Sequence, residues 1–303
     1  MKVLVFASGR GSNFDALITA SKKHSSPYKI VGLICDKDCP AMEIAANNNV
    51  SVSKIDPKNP NELIKTVKSY SPDYIALAGY MRIIPSELVD LYPLKIINIH
   101  PSLLPAFTGK DAILQAWNAG IKTTGVSVHY VNDKLDQGPI ITQAEVPVPD
   151  SMEKLEERMH AVEHKLYIDT LNSLAKDPFD TLLVSRCLLG ENCRYDGGNK
   201  YSKRVETVIK NFKGRVVEIC PEVEAGLGTP RQSITSKDLD VIKKIETASR
   251  TFIKEQLSNS KNILAILKDN SPSCATKYPQ GVFTSMLVNE FKKHIFIVGE
   301  GDI

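Results

Sequence analysis

A chain of 303 residues with a net charge of +3 is long for one domain, comfortable for two, and too weakly basic to imply a nucleic-acid binder. Hydrophobic residues at 42% and charged residues at 24% are the balance of a soluble globular protein, and no apolar run approaches the ~18 residues of a membrane span. The start, Met1-Lys-Val-Leu-Val-Phe6, is too short for a signal-peptide core, so a cytoplasmic protein is expected, and the six cysteines read as thiols or metal ligands rather than disulfides.

Residues 2–7 read as a short buried strand, Ser8-Gly-Arg-Gly-Ser-Asn13 as a Gly-rich turn, and 14–21 as a helix. That order aims backbone N–H groups and a helix N-terminus at an anion. Gly9 and Gly11 permit the tight path, while Ser12 and Asn13 add side-chain donors or an N-cap. The pattern is neither a dinucleotide fingerprint nor a Walker A loop, so its natural guest is a single phosphate; an ordinary strand–helix turn is the alternative. A strand at 29–35 and a helix at 41–49 follow, with Cys35 and Cys39 as buried or loop thiols, since no partner ligands stand nearby. A strand at 73–79 ends in Gly79, and residues 80–85 form an exposed, mostly apolar loop that either walls a pocket for a flat heterocycle or belongs to the core.

The stretch from Ile96 to Phe107 carries the most chemistry. Asn98 and His100 break an apolar, β-branched run, and their spacing of two puts both on one face of a strand. Pro101 and Pro105 then stop the strand. An amide and an imidazole therefore leave a strand's C-terminal end together, where open α/β sheets place ligands. An isolated Asn-x-His also occurs as a core pair satisfied by backbone. Beyond it lie a helix at 111–119, strands at 124–131 and 140–146, and a turn-rich loop at 132–139. Asp136 in that loop is the acid a histidine needs to fix its tautomer and stabilise its charged form. His129 reads as structural, and His24, His160, His164 and His294 as surface residues. Residues 152–174 form an amphipathic helix with a capping-box-like start at Ser151.

A polar segment ending at Pro178 marks a boundary between 1–178 and 179–303. The first part carries 19 basic and 20 acidic residues, the second 19 and 15, so their net charges are −1 and +4. Four of the six cysteines lie in the second part. There, strands are expected at 181–187, 214–220, 261–267 and 294–298, with helices at 204–212 and 239–257. A parallel sheet brings its strand C-terminal ends to one edge, so Cys187, Cys220 and Cys274 converge from three of them. Thiolates grouped without His suit zinc or an iron–sulfur cluster, and spacing does not separate the two; buried free thiols are the third option.

Residues 1 to about 175 resemble the phosphoribosylglycinamide formyltransferases. The matching pieces are Ser8-Gly-Arg-Gly-Ser-Asn13, Gly79-Tyr-Met-Arg-Ile-Ile84, Asn98-Ile-His-Pro-Ser-Leu-Leu-Pro105, Gly125-Val-Ser-Val-His-Tyr-Val131 and Leu135-Asp-Gln-Gly-Pro-Ile-Ile-Thr-Gln143. The resemblance implies a Rossmann-like α/β domain with a mostly parallel sheet, which uses 10-formyltetrahydrofolate as co-substrate to formylate glycinamide ribonucleotide. It implies that Asn98, His100 and Asp136 are catalytic and that Gly11, Ser12 and Asn13 hold the substrate phosphate. It further implies that Glu163 contacts the ribonucleotide, and that Met81, Arg82, Ile83 and Ile84 line the folate pocket, largely through backbone. Ile168 stands where the family often has Pro.

Residues 180–303 resemble a bacterial family that includes thiouracil desulfurases with an iron–sulfur cluster. Ser185-Arg-Cys-Leu-Leu-Gly-Glu-Asn-Cys-Arg-Tyr-Asp-Gly197, Cys220-Pro-Glu-Val-Glu-Ala-Gly-Leu-Gly-Thr-Pro-Arg231 and Ser271-Pro-Ser-Cys274 carry the likeness. It implies a second, smaller α/β domain, Cys187, Cys220 and Cys274 as cluster ligands with one iron open to sulfur, and Glu222 as a proton carrier; Cys193 matches the motif but is not counted as a ligand. Ala275 stands where the family usually has Gly. The expectation is a two-domain enzyme acting on small molecules, with no nucleic-acid or membrane partner. The alternative is a formyltransferase carrying a non-catalytic metal-binding module.

Overall fold

Buried β-branched runs alternate with helices along the whole chain, the pattern of a parallel sheet covered on both faces. The structure, a computed structural model, describes residues 1–235, 237–277 and 279–303. It divides into two compact units, Met1–Asp177 and Pro178–Ile303.

The first unit runs β1 (Lys2–Ala7), α1 (Ser12–Ser21), β2 (Lys29–Cys35), α2 (Pro40–Asn47), β3 (Val52–Lys54), α3 (Pro60–Tyr70), β4 (Tyr74–Leu77), α4 (Ser86–Leu91), β5 (Ile96–His100), α5 (Ala112–Asn118), β6 (Thr123–Tyr130), β7 (Ile140–Pro147) and α6 (Met152–Lys176). Its seven strands lie in the order β3-β2-β1-β4-β5-β6-β7. Pairing is parallel from β3 to β5 and antiparallel from β5 to β7. Leu4, Phe6, Ile34, Ile75 and Leu88 are buried in one core cluster, and Val3 and Val5 on the opposite face of β1 are buried too, so this interior strand is apolar on both faces. Tyr167 of α6 is fully buried, and its hydroxyl lies 3.1 Å from the carbonyl oxygens of both Leu77 and Ile97. That contact ties the long helix to the ends of β4 and β5.

The boundaries differ from expectation in instructive ways. β4 covers only Tyr74–Leu77, because the chain turns at Gly79, whose φ is +71°. Gly11, not Ser12 or Asn13, occupies the N-cap of α1, with φ +82° and no side-chain cap. Ser151 does cap α6, accepting the Lys154 N–H at 3.4 Å.

The second unit runs β8 (Thr181–Ser185), α7 (Lys203–Asn211), β9 (Arg215–Ile219), α8 (Pro221–Glu224), α9 (Leu239–Phe252), β10 (Ile263–Leu267), α10 (Val282–Phe291) and β11 (Ile295–Gly299). Its four strands are parallel, in the order β11-β10-β8-β9. Phe283, Leu287, Leu257 and Ala265 are among its buried core. β8 stops at Ser185, and Cys187 lies in the 3-10 turn Arg186–Leu189 that follows. The helix expected at 239–257 ends at Phe252 and widens into a π-helical turn, Ile253–Leu257. Among the described residues no helix is long and apolar enough to cross a membrane.

Candidate functional site

In the first unit the chemistry gathers at the C-terminal end of β5. Antiparallel pairing of β5 with β6 sets Asn98 opposite His129 and His100 opposite Ser127. The Asn98 amide Nδ2 lies 3.2 Å from His129 Nε2, and His129 Nδ1 lies 2.8 Å from the Tyr130 carbonyl oxygen. A carbonyl only accepts, so Nδ1 carries a proton, and in the neutral ring Nε2 accepts from Asn98. One amide N–H of Asn98 is thereby fixed and the second is left to point elsewhere. His100 Nε2 lies 2.8 Å from the Phe107 carbonyl oxygen, and its Nδ1 lies 3.6 Å from Asp136 Oδ2. Both ring nitrogens of His100 thus face oxygen acceptors, an arrangement suited to a ring that donates from both sides.

Asp136 joins the group. Its Oδ1 is 3.7 Å from His129 Nε2, and its Oδ2 accepts the Gly109 N–H at 2.8 Å. Burial on its own raises the Asp136 carboxyl, but the neighbouring His129 ring, the Gly109 N–H and the His100 ring hold it below the usual carboxylate range. His129, read from sequence as structural, therefore touches both Asn98 and Asp136. The loop that follows β5 is braced by Ser127 and Gln143. Ser127 Oγ donates to Ser102 O at 2.6 Å and accepts from Leu104 N at 3.0 Å, while Gln143 Nε2 donates to Leu104 O at 2.9 Å.

Gly11, Ser12 and Asn13 open α1, where the first-turn N–H groups have no intrahelical partner. A side chain at Gly11 would put its Cβ 2.8 Å from Ala41 Cβ, so glycine is required by space as well as by φ. Asn13 Nδ2 approaches Glu163 Oε2 at 3.5 Å, and Asn13 Oδ1 is buried without a hydrogen-bond partner. Burial pushes the Glu163 carboxyl up to about 7, against a small opposing pull from Asn13. His164, expected at the surface, is half-buried, and its Nε2 has no partner. In the loop at 79–85, Met81 and Ile83 are 65% and 79% exposed while Ile84 is buried. The loop thus presents two apolar side chains outward and is anchored by a third. Arg82 Nε pairs with Asp36 at 2.7 Å, and the Met81 N–H donates to Ser8 Oγ at 3.0 Å.

In the second unit Cys187, Cys193, Cys220 and Cys274 line one cavity of about 360 Å³ together with Glu222 and Arg231. Cys193 shares thiol hydrogen bonds with both Cys187 and Cys220. The contact with Cys187, aided by burial and opposed by the one with Cys220, pushes the Cys193 thiol up to about 11, and burial pushes Cys274 up to about 12. Contact with Cys193 and burial raise Cys220 far above the ordinary thiol range. Glu222 is buried; one oxygen is ion-paired with Arg231 and the other accepts from Ser273 Oγ at 2.9 Å. A proton role for Glu222 therefore requires one of these partners to let go.

Residues 1–171 match the model of the formyl transferase family, more than half of the chain. The chain belongs to the formyl transferase family. It is 41% identical over 183 residues to the phosphoribosylglycinamide formyltransferase of Bacillus subtilis, covering 57% of this chain and 94% of that one. To the Escherichia coli protein of the same name it is 37% identical over 177 residues, covering 55% and 84%. The crystal structure of phosphoribosylglycinamide formyltransferase from Bacillus halodurans superposes with a TM-score of 0.56 at 40% identity, covering 58% of this chain and 96% of that one. Residues 182–299 match the 2-thiouracil desulfurase family model, so the formyl transferase unit is followed by a unit that matches a different family, as the two resemblances implied.

Within the formyl transferase unit, Asn98, His100 and Asp136 meet in one cluster, and Asn13 and Glu163 meet in another. His129, Ser127 and Gln143 are the residues sequence reasoning left without a role. Their signal was the alternating strand beside Asn98, which places His129 and Ser127 on known register positions once β5 and β6 pair. In the second unit the unassigned residues are Cys193, Arg231 and Ser273. Among the described residues no three His, Cys, Asp or Glu side chains are grouped closely enough to hold a metal ion as they stand. The donor chemistry nevertheless fits a soft metal or cluster: four thiols, no competing imidazole, one shared cavity.

Proposed function

We propose that the first unit transfers the formyl group of 10-formyltetrahydrofolate to the amine of glycinamide ribonucleotide, a step of purine biosynthesis. The observation that carries this is the cluster of Asn98, His100, His129 and Asp136 at the end of β5, with one N–H of the Asn98 amide left over from its contact with His129. The amine lone pair attacks the formyl carbon, and the carbonyl oxygen gains negative charge. The second N–H of Asn98 donates to that oxygen. His100 does the same once substrate displaces Phe107 O from its Nε2. Asp136 holds His100 in place and stabilises its charged form, while the amine proton passes through water to the folate leaving nitrogen. The N–H groups of Gly11, Ser12 and Asn13 receive the 5′-phosphate. Asn13 Oδ1 and Glu163, buried with acceptor capacity to spare, receive ribose hydroxyls. The backbone of Met81, Arg82, Ile83 and Ile84 borders the pterin. We assign the reaction to the cytoplasm, where structural disulfides are rare, in keeping with six free cysteines.

For the second unit we propose an iron–sulfur cluster held by Cys187, Cys220 and Cys274, and removal of sulfur from a thiolated base. Such a cluster, when bound, supplies an iron with an open position for a sulfur atom. Ligation needs thiolates, which the contact with Cys193 opposes at Cys220 and burial opposes at Cys274. Glu222, fixed by Arg231 and Ser273, orients the heterocycle beside it. The contact of Cys193 with both Cys187 and Cys220 favours a second reading, a closed four-thiolate site without turnover. Turnover of the full chain with both substrates, followed by release of tetrahydrofolate, tests the first assignment; a folded protein that is inert contradicts it. Anaerobic purification with iron and sulfide analysis tests the second, and colourless, zinc-loaded protein contradicts it.

A further inference from the structure

A pair of cysteines that neither proposed site uses lies at the end of β2, beside the loop that follows β1. Cys35 ends β2 and is fully buried; Cys39 is half-buried at the N-cap of α2. Their sulfurs are 3.6 Å apart. A disulfide bond needs them closer by roughly 1.5 Å. We infer that Cys35 and Cys39 are a redox-active dithiol, oxidised to a disulfide by a low-molecular-weight disulfide of the glutathione type, and that this modification loosens the loops at 8–13 and 79–84.

The link to the loops runs through the residues that the pair encloses. Asp36 has a side chain only 1% exposed, and it holds Arg82 of the 79–84 loop at 2.7 Å. Ser8, which receives the Met81 N–H, also bonds Asp36. On the other side, the Ala41 N–H donates to Gly9 O at 3.3 Å, and Gly11 leaves no room between itself and Ala41. A new covalent link from 35 to 39 therefore acts on both the phosphate loop and the folate loop.

The chemistry balances without further reagents. The Cys39 thiolate attacks one sulfur of the small disulfide; its S–S bond breaks and one small thiol leaves. Cys35 then attacks Cys39 Sγ, the mixed S–S bond breaks and the second small thiol leaves. The protein loses two electrons and two protons, and the small disulfide gains both. Burial raises the Cys35 thiol in the free dithiol to about 12, so ring closure quickens as pH rises.

The test treats the full-length protein with oxidised glutathione or with dithiothreitol, blocks remaining thiols and digests with trypsin. Cleavage after Lys37 separates the two cysteines, so the disulfide appears as peptides 30–37 and 38–54 joined and lighter by two hydrogens. Hydrogen exchange at 8–13 and 79–84 should rise in the oxidised protein and return with reductant. Formyl transfer should fall several-fold and recover likewise, whereas Cys39→Ser, active as the parent, should ignore the oxidant. Absence of the joined peptides overturns the inference. Joined peptides with unchanged exchange and turnover overturn its link to the loops, as does a Cys39→Ser protein that is still inhibited. The peptide and exchange readouts need no turnover, so a failure of the proposed formyl transfer is told apart from a failure of the dithiol.

Discussion

Replacing Glu163 by Gln should stabilise the first unit at alkaline pH and leave it unchanged in acid. Glu163 is 6% exposed, and burial lifts its carboxyl from 4.5 to about 7. The folded state therefore binds this proton more tightly than the unfolded state does. Below the unfolded value both states are protonated and burial of the group costs nothing in charge. As pH rises through this interval the unfolded chain ionises first, and stability falls until the folded carboxyl is ionised too. At about 1.4 kcal/mol per unit, the shift amounts to about 3 kcal/mol at pH 8. Gln keeps the volume and can still accept from Asn13, so it removes the ionic penalty alone. Trp117 is the sole tryptophan of the chain and lies on α5, so its fluorescence reports urea unfolding of this unit. The variant should exceed the parent by a few kcal/mol at pH 8 and match it near pH 4.5. An equal offset at both pH values, or none at pH 8, would refute the burial argument. If Glu163 also receives a ribose hydroxyl, the same variant should raise KM for the ribonucleotide more than it lowers kcat.

Asp136→Asn should fold and bind ribonucleotide but lose turnover, because a neutral amide no longer supports His100 at 3.6 Å; near-normal kcat would remove Asp136 from the site. Asn98→Ala should cost ~10²–10³ in kcat, as for other oxyanion donors, and its combination with Asp136→Asn should lose less than the product of the two; steady-state kinetics on all three variants decides it. Gly11→Ala should lower stability by roughly 1–3 kcal/mol through its left-handed φ and the Ala41 contact, read as a shift in the urea midpoint. Cys187→Ser, Cys220→Ser and Cys274→Ser should each abolish visible absorbance after anaerobic purification, whereas Cys193→Ser should keep it; a colourless Cys193→Ser protein would instead make Cys193 a ligand.

Asn98 and His100 were legible because polar residues stand out in a buried strand, and their shared face follows from a period of two. His129 was not, because its role depends on a cross-strand partner: only the register Asn98↔His129 brings it to the amide. Glu163 was legible only through the family resemblance, because it is one buried acid on a helix whose other acids are exposed and it meets Asn13 from 150 positions away. The strand β3, three residues long, is too short for any periodicity to mark it. Convergence of the strand-end cysteines followed from parallel topology alone. The place of Cys193 between Cys187 and Cys220 did not, because it depends on how the loop after β8 folds back, with Cys193 N bonded to Glu191 O and Lys200 N to Cys187 O.

The most direct test of the central claim is the mass of the product formed from glycinamide ribonucleotide and 10-formyltetrahydrofolate in a single turnover of the full chain. The account predicts a ribonucleotide heavier by one formyl group in place of hydrogen, formed in step with tetrahydrofolate and lost in Asp136→Asn. Free formate with unmodified ribonucleotide would contradict it, since water rather than the bound amine would then be the acceptor.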